Sequence, residues 1–162
     1  MEFMSNWKRV GVISMAVGFA FCLMLSTALA AEMDKKAEKA VMDGTKMMMN
    51  GKKDLMAGLG KEKLTKDPKL ADAIKKLNAG DKEVVAGNKM MGKKGERTKA
   101  KEKIMSGTTM MMEAKDAIMA ELKSRGMMES GKLKEGEKLI EQGDNKMLEG
   151  KNGMMDAFKN WE

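Results

Sequence analysis

Glycine recurs every seven residues through most of this chain, and most of these glycines are followed four positions later by a large apolar residue, often with a second beside it. Gly44, Gly51 and Gly58 make one series, Gly80 and Gly87 a second, and Gly136, Gly143 and Gly150 a third. The apolar pairs include Met48-Met49, Leu55-Met56, Val84-Val85, Met147-Leu148 and Met154-Met155. Met111-Met112 follows Gly107 in the same way, and Ile118-Met119 follows Ala114. Spacings of three and four place the small and large residues on one face of a helix, in a heptad pattern. A glycine inside a helix costs roughly 1 kcal/mol against alanine. A regular series of them therefore predicts antiparallel helices in close approach, with methionine side chains covering each notch. Gly44, Gly51, Gly80, Gly87, Gly107, Gly143 and Gly150 are the expected contact glycines. Gly51→Ala should be mild on this reading, because the matching position later in the chain is Ala114. A competing reading takes the glycines as helix ends or marks of disorder.

An internal repeat organises the pattern. Residues 37–58 align with residues 100–121 at an offset of 63, with 10 of 22 positions identical and Met42-x-Gly44-Thr45-x-Met47-Met48-Met49 shared. The offset continues without a gap, setting Gly80-Asp81 on Gly143-Asp144, Gly87 on Gly150 and Met91 on Met154. Two copies of one unit, 37–94 and 100–157, are expected. Within them, helices are expected over about 33–60, 68–92, 97–125 and 129–160. Asp67-Pro68 marks the second start, Gly92 to Gly95 a turn, and Gly126 a stop. The fold class is all-α: two tandem αα-hairpins closing into an antiparallel four-helix bundle.

The first 30 residues are excluded from that fold. Lys8 and Arg9, an apolar run from Val10 to Leu25 and Ala28-Leu29-Ala30 have the order of a secretory signal peptide. Cleavage is expected after Ala30, leaving 31–162 as a periplasmic or secreted methionine-rich domain. The apolar run is short for a membrane span. Cys22 follows Phe21 within that run, so it does not sit in a lipid-attachment box, and the mature chain has no cysteine.

Charge and chemistry narrow the function classes. Without Lys8, Arg9 and Glu2, the 31 basic and 24 acidic residues leave a net charge of +6. The signs alternate along the helices, as on a solvated face. No segregated basic stripe or set of stacking aromatics indicates nucleic acid. Weak contact with an anionic membrane surface, a second copy of the chain or an envelope protein are the partners this chemistry admits. The chain has no His, no P-loop and no GxGxxG, and its serines have no imidazole partner. An enzyme is not expected.

The 22 methionines need their own explanation. Zinc and Cu(II) favour His and Cys, whereas the thioether is soft, neutral and selective for Cu(I) or Ag(I). In composition the chain is similar to methionine-rich copper- and silver-handling proteins of the bacterial envelope. The candidate ligands are Met42, Met49 and Met56 on the first helix and Met105, Met112 and Met119 on the third. Met48, Met91, Met111, Met154 and Met155 join them. Members of one stripe lie about 10.5 Å apart along a helix and cannot surround one ion alone. The hairpins should group Met48-Met49 with Met91, and Met111-Met112 with Met154-Met155, at two equivalent places. The alternatives are methionine as adaptable core, a reversible oxidant sink, or a structural, interaction or stress-protective helical protein at the membrane surface.

Overall fold

A computed structural model describes residues 35–93, 95–128 and 133–159, and these form four helices. They are α1 (residues 35–61), α2 (Ala71–Met91), α3 (Arg97–Ser124) and α4 (Glu135–Lys159). The leader, its cleavage site and part of the α3–α4 connection lie outside the described residues. No described helix is long and apolar enough to cross a membrane.

The connections follow from local backbone chemistry. At the end of α3, Gly126 takes a left-handed φ of 70°, its amide bonds the carbonyl of Lys123, and the Met127 amide bonds that of Leu122. That is the glycine-capped helix end in which two orphan carbonyls are satisfied together. The end of α1 has the same geometry, with the Leu64 amide on the Leu59 carbonyl, but the left-handed residue is Lys63 at φ 57°. Lys63 and Gly126 are 63 positions apart. Helix α2 starts at Ala71, three residues after Pro68. The Asp67 carboxylate accepts the Lys69 amide at 2.9 Å, and a tight turn over 67–70 precedes the first full helical turn.

The closest helix contacts lie between the two expected hairpins: α1 packs on α4 and α2 on α3. On the first seam, Gly44 faces Gly150, Gly51 faces Gly143 and Gly58 faces Gly136. On the second, Gly80 faces Gly107 and Gly87 faces Ala100. The residue four positions after each glycine fills the notch opposite. Met154 sits on Gly44, Met147 on Gly51 and Ile140 on Gly58; in return Met48 sits on Gly150 and Leu55 on Gly143. Met111 sits on Gly80, Val84 on Gly107 and Ile104 on Gly87. A Cβ at Gly51 would stand 2.6 Å from the Gly143 carbonyl oxygen, so only hydrogen fits.

This corrects the expectation drawn from Ala114. Gly51 packs against the backbone of α4, whereas Ala114 lies on α3 in the other seam, so one does not license the other. The seams also differ in register. Gly44 faces Gly150, the counterpart of Gly87, but Gly107, the counterpart of Gly44, faces Gly80. The seams are therefore offset by one heptad, about 10.5 Å.

The helices consecutive in each expected hairpin are joined more loosely, by matched ion pairs. Lys52 on α1 meets Asp81 on α2 at 2.6 Å, and Lys115 on α3 meets Asp144 on α4 at the same distance. Each residue of the second pair lies 63 positions after its counterpart in the first. The core runs between the seams as heptad rows: Val41, Met48 and Leu55; Leu77, Val84 and Met91; Ile104, Met111 and Ile118; Ile140, Met147 and Met154.

Candidate thioether site

The candidate methionines separate into two sets by the helix face they occupy. Met48, Met111 and Met154 are wholly buried knobs in the glycine seams, and Met91 and Met112 are also buried. Met49, Met56, Met119 and Met155 are half-buried, while Met42 and Met105 are exposed. The stripes Met42/Met49/Met56 and Met105/Met112/Met119 thus lie one position away from the core rows, at the margin of each helix.

One buried grouping joins the two halves. The Thr108 hydroxyl lies 3.8 Å from the Met48 sulfur and 3.7 Å from the Met154 sulfur, with all three residues buried. The hairpin groupings do not contain this contact. It places a hydroxyl donor between two weak thioether acceptors inside the core. Both sulfurs belong to fully buried side chains, so the contact serves packing.

A second arrangement of methionines lies at the margin between α3 and α4. Met105 and Met112 on α3 and Met155 on α4 line one groove of about 220 Å³, open on one side. Thr108 and Thr109 form its floor and flank, and Glu113, Asp116 and Lys151 its rim. Helix α3 supplies both ends of the methionine pair because positions seven apart return to the same face. Helix α4 supplies Met155 because that residue follows the core knob Met154 and so projects beside the seam.

The two carboxylates of the lining are paired with neighbouring lysines. Glu113 pairs with Lys76 of α2. Asp116 accepts Lys115 at 2.8 Å, and that lysine also reaches Asp144. Burial works against the Lys115 charge, but the two carboxylates outweigh it and hold the ammonium above its ordinary pKa.

The first half does not reproduce this groove. The counterparts of Thr108, Lys151 and Met155 are Thr45, Asn88 and Gly92. Asn88 Nδ2 donates to Thr45 Oγ1 at 2.8 Å, and Thr45 in turn donates to the Met42 carbonyl at 2.9 Å. At the facing helix the two halves therefore differ in their residues, with Gly92 standing where the second half has Met155. The depression on the α1·α4 side, about 340 Å³, is lined by Asp43, Lys46, Asn50, Lys146 and Glu149 with Met47 alone.

Methionine spacing pointed to Met105, Met112 and Met155 but not to the threonines and charges that complete the groove. Thr45 and Thr108 lie inside the shared repeat string, so the signal was present as an unexplained identity. Among the described residues, no group of three or more His, Cys, Asp or Glu could hold a metal. Comparison with protein-family models, curated proteins and solved structures gives no match for the chain.

Proposed function

We propose that this chain is an exported, non-enzymatic helical protein that binds the soft ions Cu(I) or Ag(I) through methionine thioethers. One observation carries the reading: Met105, Met112 and Met155, from two helices, line a single solvent-open groove, with Met105 exposed, Met155 half-buried and Met112 buried at its inner side. Thioethers need no deprotonation and cannot form disulfides, which suits an oxidising compartment. Export rests on the leader-like order of residues 1–30, with the mature chain beginning at Ala31. The matched Lys–Asp pairs and helix ends support descent from one duplicated hairpin.

The test is anaerobic titration of the purified protein with Cu(I) and Ag(I), followed by native mass spectrometry. Uptake at micromolar ion, with a rise in melting temperature set by ligand linkage, is the expected result. No uptake refutes the reading. A second reading has its own observation. Met42, Met47 and Met105 are exposed while the seam knobs are buried, so a surface set could be oxidised to sulfoxide without touching the core.

A further inference from the structure

We infer that the protein holds a single soft-metal site, in the α3·α4 groove of its second half, and that the first half repeats the methionine stripe without the site. This rests on the soft-metal reading above and adds its location and stoichiometry.

The stripe itself does not distinguish the halves, since Met42 and Met49 match Met105 and Met112. A second helix must supply another donor, because members of one stripe are about 10.5 Å apart. In the second half that donor is Met155, which shares the groove with both. In the first half the same position is Gly92, and Met91 before it is buried in the core like its counterpart Met154.

A further difference acts in the same direction. Thr45 is bonded to Asn88 of the facing helix, and that contact ties α1 to α2 at the position of the groove. Thr108 has the methionine sulfurs as its partners instead, and the groove beside it stays open.

The experiment uses Ag(I) alone as a redox-stable probe on the whole protein. Native mass spectrometry counts bound ions, and the methionine methyl resonances in solution NMR locate them in the unaltered chain. The expected result is one Ag(I), with shifts at Met105, Met112 and Met155 and none at Met42, Met49 or Met56. Met112→Leu with Met155→Leu should lower affinity at least tenfold while the helical circular dichroism persists. Met42→Leu with Met49→Leu should leave affinity within twofold. Two equivalent ions, shifts at Met42 and Met49, or undiminished binding after the second-half substitutions overturn the single-site inference while leaving soft-metal binding in place. No bound ion and no methyl shift overturn both.

Discussion

Gly51→Ala is the most direct test of the close helix seam. An added Cβ would lie 2.6 Å from the Gly143 carbonyl oxygen and 2.8 Å from the Met147 amide nitrogen. Both are backbone atoms, so no side-chain rotation relieves the overlap. Reaching ordinary contact at 3.4 Å requires α4 to retreat by about 0.8 Å. Helices move as rods, so the notches at Gly44–Gly150 and Gly58–Gly136 open too. A gap of that size forfeits roughly a quarter to a half of each affected dispersion contact. Overpacking of this kind costs about 1–3 kcal/mol. Alanine returns roughly 1 kcal/mol of helix propensity, leaving a net destabilisation of up to about 2 kcal/mol. Gly153→Ala is the control. It lies within α4, its Cβ would have no neighbour within 4 Å, and it should stabilise by about 0.5–1 kcal/mol. Thermal melts followed by far-UV circular dichroism should place the variants on opposite sides of the wild type. The separation should be roughly 3–5 °C per kcal/mol for a domain of this size. If Gly51→Ala melts at or above the wild-type temperature, the close-seam argument is wrong.

Three other outcomes follow from the geometry. Lys63→Gly should stabilise by about 0.5–1 kcal/mol, because Lys63 holds a left-handed φ that its counterpart Gly126 adopts without strain; urea unfolding measures this. The Arg125 bond holds the Asp67 carboxyl below its usual pKa, assisted by the Lys69 amide. Its contribution is therefore present above the unfolded value of about 3.9 and lost as pH falls through the lower folded value; Asp67→Asn should flatten that acid limb of the stability–pH curve. Lys115 has a raised folded pKa, so its stabilisation is complete below about 10.4 and lost as pH rises through the folded value. Asp144→Asn should bring alkaline unfolding to lower pH and destabilise at neutrality by about 1–3 kcal/mol, since Lys115 is 8% exposed and keeps only Asp116.

The sequence by itself determined the local structure of this protein. Three- and four-residue spacing of Met48, Gly51 and Leu55 demands a helical face, Gly126 marks a helix end and Pro68 a turn shortly before a helix start, and alternating charges mark the outer surface. These signals are local because helix geometry repeats every few residues, so spacing alone reports which side chains share a face. Which faces meet was decided only in the tertiary structure. Glycine marks a close approach without naming its partner, and the same heptad is satisfied by pairing within the hairpins or between them. Close packing chose α1 with α4 and α2 with α3, where each knob finds a notch. The same choice separated Met48 and Met154, buried against Thr108, from Met105 and Met155, which line an open groove. Adjacent methionines in the sequence differ by about 100° around a helix; that rotation becomes a difference between core and surface only once the neighbouring helix is in place.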